Sequence, residues 1–326
     1  MRGRATGSNA AAVAGASPAA TPGAERVSAL ATRPELSIII VSYQTREHLR
    51  NCLRSIFGSR QRTRYEVRVV DNASTDGSAE MVEREFPAVH LVRNTENVGF
   101  ARANNQALAE ARGEFLLLLN PDTLVPDAAL DTCIDFLREH PEAGIVGCRL
   151  VRADGSLDLA CRRSFPTAFD GFCRATGLSA LFPRSRLLAR YNLTYLDEHR
   201  TTEVDAVNGA FMLVRAEAAR AVGPLDERFF MYMEDLDWCW RFRAAGWKVY
   251  YHPAATVVHL KGESGKQRSS EMIRAFFDSM ALFCQKHYRS TPLGRYTYPA
   301  VLLGIRTWMV ATLLRNALRT EKRVTP

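Results

Sequence analysis

Between residues 36 and 150 the chain alternates short apolar runs with segments of helical spacing. Leu36–Ser42 is apolar and β-branched and reads as a strand, and Leu49, Cys52, Leu53 and Ile56 then recur at helical spacing across 46–57. The same reasoning predicts strands at 65–70, 89–93, 114–119 and 145–150, with helices at 78–86, 99–111 and 127–139. Strands separated by helices of roughly ten to fifteen residues imply βαβ units and a mostly parallel sheet. The pattern breaks over 152–200, where Phe165, Phe169, Phe172, Leu178, Leu181 and Phe182 lie among Arg162, Arg163, Arg174, Arg184, Arg186 and Arg190. Order returns with a strand at 204–214 passing through Asn208-Gly209, a helix at 234–245 stopped by Gly246, and short strands at 248–251 and 256–260. From about Met272 the chain is helical again, and it holds no internal repeat.

One junction bears most directly on function. Phe115–Leu119 is five large apolar residues, a strand buried on both faces, and it runs into Asn120-Pro121-Asp122. Pro121 has no N–H for the ladder and ends the strand. Asp122 is then left at the carboxyl end of a central strand, where open α/β sheets bind ligands and where a carboxylate suits a hard divalent cation. Asn, Pro and Asp are equally ordinary turn residues, so the junction alone leaves both readings open.

Neighbouring strands end in a similar way. The first two close on Ser42-Tyr43 and Asp71-Asn72, and right-handed crossovers put these ends on the same edge as Asp122. Asp71 can accept from a base N–H or ribose hydroxyls and Tyr43 offers a ring for stacking; as turn and cap residues the same side chains would have no ligand role. Asn97-Val98-Gly99-Phe100 opens a helix, with Gly99 permitting close backbone approach where free N–H groups favour an anion. Asn97 also fits plain capping, and Arg102 is either a cation for a phosphate or a solvated charge. The GxGxxG fingerprint of dinucleotide cofactors is absent.

Farther along, Glu234, Asp235 and Asp237 crowd the first turn of a helix. They complement the helix dipole, and Asp237 can pair with Arg241 one turn on. Yet Phe229, Phe230, Met231, Tyr232, Met233, Trp238 and Trp240 surround them with apolar bulk, the setting in which a carboxylate becomes a general base. His259 follows an apolar strand, where a structural role is the ordinary one unless that strand ends near Asp122.

Composition narrows the class. The 326 residues are 47% apolar and 24% charged, as in a soluble globular protein. The net charge of +8 is concentrated at the ends: +3 in residues 1–33 and +7 in residues 286–326, which leaves the body at −2. That distribution argues against a nucleic-acid groove and for an anionic surface, such as a membrane, near the C-terminus. Seven scattered cysteines without a CxxC fit reduced thiols in a cytoplasmic compartment. Residues 1–33, rich in Ala, Gly, Ser, Pro and Thr, read as a disordered tail with no signal-peptide core.

Taken in order, IIIVSY, VVDNASTDGS, NTENVGFARANNQAL, LLLLNPDT, VNGAFMLVR, FFMYMEDLDWCWR and VVHLKG make the chain, from about Leu36 to Ser264, resemble the glycosyltransferases of family 2 with the GT-A fold. Within that family it is most similar to bacterial rhamnosyltransferases of cell-surface glycan synthesis. The resemblance implies a Rossmann-like, mostly parallel α/β sheet with helices on both faces and a C-terminal helical extension. It implies that Ser42, Tyr43, Asp71 and Asn72 hold the nucleoside, and that Asn97, Gly99, Arg102 and Asn105 lie beside ribose and diphosphate. Asp122 would bind Mg²⁺ or Mn²⁺ with His259 as second ligand. Asp235 would be the catalytic base, with Glu234 beside it facing donor or acceptor. Asn120 stands where the family's DxD motif has its first acid, which weakens the expectation of a strict metal requirement.

The expected reaction is inverting transfer of a sugar, dTDP-L-rhamnose being the preferred donor, to a lipid-linked or polysaccharide acceptor. Galactofuranosyl, glucosyl or N-acetylhexosaminyl donors are the alternative, and a non-catalytic glycan- or nucleotide-binding module is a third reading. The expected organisation is a tail (1–33), a GT-A domain (34–265, nucleotide half 34–150, acceptor half 151–265) and a helical extension (266–326). Within that extension, residues 298–314 are apolar except for Arg306 and two Thr residues, with Arg315, Arg319, Lys322 and Arg323 behind them. Seventeen such residues are short for a span that needs ~20, so a helix lying on the inner face of the cell membrane is expected, a packed C-terminal helix being the alternative. Self-association is left open.

Overall fold

The computed structural model describes residues 1, 3, 33–260, 269–289 and 291–318. Most of the expected tail, Lys261-Gly262, and the basic residues Arg319, Lys322 and Arg323 lie outside the described residues.

The first half follows the hydrophobic pattern. Strands β1 (Leu36–Ser42), β2 (Tyr65–Asp71), β3 (His90–Arg93) and β4 (Phe115–Leu119) alternate with helices α1 (Arg46–Gly58), α2 (Ser78–Glu85) and α3 (Phe100–Glu110). Next come β5 (Thr123–Leu124), α4 (Ala129–Glu139) and β6 (Ala143–Val151). A 3-10 turn (Leu159–Cys161), α5 (Ala168–Ala175), α6 (Leu178–Leu181), β7 (Thr202–Val204) and β8 (Phe211–Arg215) occupy the middle. The chain closes with α7 (Ala216–Val222), α8 (Glu234–Ala244), β9 (Lys248–His259), α9 (Ser269–His287) and α10 (Pro292–Ala317).

These strands form one sheet in the order β3-β2-β1-β4-β8-β6-β9-β5, with β7 on the side of β9. β1 pairs in parallel with both β2 and β4, so every residue of β1 and β4 is buried between helical layers. β8 runs antiparallel between β4 and β6, and β6 pairs in parallel with β9. The carboxyl ends of β1, β2 and β4 therefore share an edge: Ser42 lies opposite Asp71, and Asn120 N–H donates to the Ala210 carbonyl across 3.0 Å at the mouth of β8.

Three expectations needed correction. The strand expected at 204–214 is two strands, because the intervening segment pairs sideways with Arg163 through Ala206, and Asn208-Gly209 turns, the Asn208 side chain accepting from Ala210 N–H. The two strands expected at 248–260 are one bent strand. Its register on β6 jumps from His252 to Thr256 around Pro253, a residue that cannot donate to a ladder. Within the irregular 152–200 stretch, α5 is set by a capping box: Thr167 accepts from Asp170 N–H and Asp170 accepts from Thr167 N–H.

At the C-terminus α9 and α10 pack on each other through Ile273, Phe277, Ala281 and Ile305, and Phe283 of α9 enters the main core. All seven cysteines are free thiols.

Candidate active site

At the edge formed by β1 and β2, the turns after each strand are stitched together. Asn72 N–H donates to Ser42 O, Ser42 Oγ lies 2.9 Å from Thr45 Oγ1, and Gln44 N–H reaches Ser74 Oγ. Asp76 serves two helices at once, accepting from Arg46 N–H at the start of α1 and from Ser78 N–H at the start of α2. Within this frame Asp71 is buried. Its Oδ2 accepts from Ser74 N–H, while Oδ1 has no hydrogen-bond partner. An unpartnered buried carboxylate oxygen is costly unless a ligand supplies the donor. Tyr43, next to Ser42, is half-buried.

Asn72 is committed elsewhere. Its amide donates to Asn97 Oδ1 (2.7 Å) and Gly99 O (3.3 Å), and its carbonyl accepts from Asn94 Nδ2 and Val98 N–H (both 3.1 Å), so the side chain is a latch for the 94–99 loop. Asn97 in turn accepts from Gly99 N–H. The close approach expected at Gly99 is made by protein: at φ +87° it faces the Phe230 carbonyl, which a Cβ would meet at 2.7 Å and to which Phe100 N–H donates across 2.7 Å. That N–H is therefore not free for an anion. Asn105 exchanges hydrogen bonds with the backbone of Leu225 and donates to Glu227. Arg102 is exposed, 3.9 Å from the Glu227 carboxylate.

The strand carrying His259 does end beside Asp122. Thr123 pairs with His259, Leu260 N–H donates to the Asp122 carbonyl, and His259 Nε2 lies 3.4 Å from Asp122 Oδ1, both side chains being buried. The other ring nitrogen, Nδ1, is 3.1 Å from Asp158 Oδ2. Burial opposes a charged ring, but the hydrogen bonds to Asp122 and Asp158 outweigh it and hold His259 protonated up to about 9.

The described residues contain no group of three side chains able to close on a metal ion. Asp122 and His259 nonetheless fit a cation as a pair. A cation that displaces the Nε2 proton would meet one carboxylate oxygen and one imidazole nitrogen, which leaves coordination positions for phosphate oxygens. An imidazole donor suits Mn²⁺ better than Mg²⁺.

Helix α8 begins after two left-handed non-glycine residues, Tyr232 (φ 70°) and Met233 (φ 67°). Each such residue costs about 1–3 kcal/mol and persists only where its surroundings over-determine it. Ser279 of α9 donates to Met231 O, Tyr232 packs edge-on against Phe276, and Asp237 N–H donates to Met233 O.

This forced turn points Asp235 at the end of β4. Asp235 Oδ2 accepts from Arg163 Nη2 (2.6 Å) and Gly209 N–H (3.2 Å), and Gly209 packs between Asp235 and Phe100. Burial alone would lower the affinity of Arg163 for its proton; the Asp235 carboxylate outweighs that and raises it. Glu234 is also buried, and its Oε2 has no partner. Burial, followed by the charge of Asp235, pushes the Glu234 carboxyl up to about 8.

Asp122, His259 and Asp235 thus belong to adjoining segments of one sheet edge. Asp122 lies two residues past Asn120, which bonds Ala210, Asp235 binds the neighbouring Gly209, and His259 flanks Asp122. Arg163 and Asp158 are further side chains of this candidate site that no sequence motif marks. For Arg163 no local signal existed. Asp158 had one, since Asp154-Gly155 is a hairpin pair that returns the chain onto β6.

The chain resembles known proteins in both sequence and fold. Residues 37–220 match the glycosyl transferase family 2 model. The N-acetylglucosaminyl-diphospho-decaprenol L-rhamnosyltransferase of Mycobacterium tuberculosis is 29% identical over 89% of this chain and 97% of its own. The rhamnosyltransferase WbbL of Escherichia coli is 29% identical over 54% of this chain and 66% of its own. Among solved structures, a mannosyltransferase of Pyrobaculum calidifontis in complex with GDP-Man and Mn²⁺ superposes with a TM-score of 0.56 at 20% identity, covering 86% of this chain and 76% of that one. S. aureus TarS superposes at 0.53 and 16%, covering 88% and 46%. With its fold and more than half its length matched, this chain belongs to glycosyl transferase family 2 and is a glycosyltransferase of the GT-A fold.

Proposed function

We propose that the enzyme moves L-rhamnose from dTDP-L-rhamnose, with inversion, onto a lipid-linked glycan acceptor at the inner face of the cell membrane. The sugar and the acceptor class are taken from the name of the mycobacterial relative, which is matched over nearly its whole length. The observation that best supports the chemistry is the juxtaposition of the Asp122–His259 pair with an Asp235 held rigid by Arg163 and Gly209.

In this reading the free Oδ1 of Asp71 receives the base N–H, with Ser42 and Tyr43 lining the nucleoside. Asn72, Asn97 and Asn105 act by holding the loops around ribose and diphosphate, and Arg102 offers a cation to the phosphates. A divalent cation bound by Asp122 and His259 would supply Lewis-acid stabilisation of the diphosphate leaving group, with Asn120 contributing to the donor site. Asp235 takes the proton from the acceptor hydroxyl as its oxygen attacks the anomeric carbon, on the face opposite the breaking bond to the diphosphate. Arg163 and Gly209 occupy Oδ2, so Oδ1 is the oxygen presented to that proton; it accepts from Leu236 N–H and retains a second lone pair. Direct displacement inverts the centre and needs no carboxylate nucleophile. Glu234, neutral near pH 7, can donate to a sugar hydroxyl.

Membrane contact is assigned to α10. Its 26 residues include a window of mean hydropathy 1.3, only 11% buried, with Leu293, Leu303 and Leu314 exposed. Arg306, in the middle of the helix, pairs with Asp278 of α9, which supports a helix lying on the surface over one that crosses. The helical extension is thus read as a membrane-facing unit attached to residues 34–265. Truncation after Tyr288 should reduce co-sedimentation with anionic vesicles; undiminished binding would refute this role.

The donor is tested by incubating the protein with dTDP-rhamnose, UDP-galactofuranose, UDP-glucose, UDP-N-acetylglucosamine and GDP-mannose, with and without Mg²⁺ or Mn²⁺, and scoring nucleoside diphosphate release. Preference for dTDP-rhamnose supports the reading, and preference for another donor replaces it.

A further inference from the structure

We propose that Asp158 is a positioning residue for the divalent cation: it fixes the ring of His259 so that Nε2 is presented beside Asp122. The inference rests on Asp122 and His259 being the cation's ligands.

Asp158 is held by backbone contacts that do not involve the cation. After the Asp154-Gly155 turn, Leu157 bridges to Val151 and Asp158 N–H donates to Leu150 O. The carboxylate is completely buried, and its Oδ1 accepts from Ala160 N–H at the start of the 3-10 turn. This leaves Oδ2 aimed at His259 Nδ1, 3.1 Å away, while Nε2 on the far side of the ring is 3.4 Å from Asp122. The two carboxylates address opposite nitrogens, so Asp158 does not share the ion with Asp122. A ring that ligates through Nε2 carries its one proton on Nδ1, and a carboxylate on Nδ1 both selects that tautomer and makes Nε2 a better donor. Capping the short turn requires a single acceptor oxygen; a second one aimed at the imidazole is beyond what the turn needs.

Asp158→Asn separates the two roles. The amide oxygen can still cap Ala160, and the amide N–H₂ then faces Nδ1 as a donor, which drives the ring proton to Nε2, the tautomer that cannot ligate. The experiment titrates Mn²⁺ into the full-length protein in the presence of dTDP and follows free Mn²⁺ by electron paramagnetic resonance, for wild type, Asp158→Asn, Asp122→Asn and His259→Gln. Asp158→Asn should weaken Mn²⁺ binding by about 10–100-fold in a protein that still melts cooperatively, the melting temperature itself being free to fall because a buried ion pair is lost. Wild-type Mn²⁺ affinity in Asp158→Asn, while Asp122→Asn and His259→Gln lose theirs, overturns the positioning role and leaves the ligands standing. Wild-type affinity in all three variants removes the ligand assignment and this inference together. A measurement on unaltered protein guards against a variant that fails to fold. Imidazole nitrogen NMR of the enzyme with dTDP and Mg²⁺ should place the His259 proton on Nδ1, and a proton on Nε2 would overturn the proposal.

Discussion

Arg163 Nη2 lies 2.6 Å from Asp235 Oδ2 and 2.6 Å from the Val207 carbonyl, so a guanidinium 72 residues upstream fixes one oxygen of the proposed base. Both side chains are buried. Removing one member of a buried pair strands the other charge and costs about 3–5 kcal/mol. Arg163→Met should lose stability on that scale in urea unfolding. Arg163→Lys, which keeps the charge but not the planar fork, should lose less in stability and still turn over slowly. Equal, near-zero losses for both would show that the pair contributes nothing.

Glu234 makes stability depend on pH. In the unfolded chain its carboxyl titrates near the ordinary 4.5; folded, burial and Asp235 hold it up to about 8. The folded state therefore keeps a proton that the unfolded state has released, and this contribution to stability is lost as pH rises from about 4.5 through about 8. Glu234→Gln should grow more stable relative to wild type across that window, measured by urea midpoints at pH 5, 7 and 9. A difference that does not change with pH would contradict the assignment.

Gly99 combines a φ of +87° with the Phe230 carbonyl 2.7 Å from where a Cβ would stand. Gly99→Ala should cost about 1–3 kcal/mol in backbone strain alone and should raise the KM for the donor, because the same loop carries Asn97. Wild-type stability and KM would show that this contact is soft.

Lys286 of α9 reaches both Asp226 Oδ2 (2.6 Å) and the fully buried Asp237 Oδ1 (2.7 Å), two residues past Asp235 in α8. Lys286→Met should lose about 1.5–3 kcal/mol, the scale of a hydrogen bond to a charged group. Arg241 and His287 still serve Asp237, so the loss should stop there. A urea midpoint equal to that of wild type would mean that α9 is not anchored through this cluster.

What the sequence made legible follows from where each residue finds its partner. Strands β1 and β4 were readable because helices cover both faces and every position but Ser37 and Ser42 is apolar. The shared polar edge followed from crossover handedness. Asp122 stood out from its place at the carboxyl end of β4, whereas His259 was assigned to the cation only through a family resemblance, and their contact depends on the two-residue β5, too short for any periodicity to reveal.

The side chains of Asn72 and Asn105 looked like ligand contacts, but they spend their hydrogen bonds on neighbouring loops, a choice that backbone geometry makes and local sequence does not record. Arg163 was hidden for a similar reason: it was one arginine among eight in a stretch without periodicity, and its partner comes from a helix 72 residues away. The capping box Thr167-x-x-Asp170 was a local signal that went unread because the surrounding arginines made the stretch look irregular.

The most direct test of the account is Asp235→Asn assayed with dTDP-rhamnose and a lipid-linked acceptor, with donor binding measured by calorimetry on the same preparation. The account predicts that transfer falls by at least the 10²–10⁴-fold typical of a lost general base while donor affinity stays within a few-fold of wild type. Turnover close to wild type would contradict it.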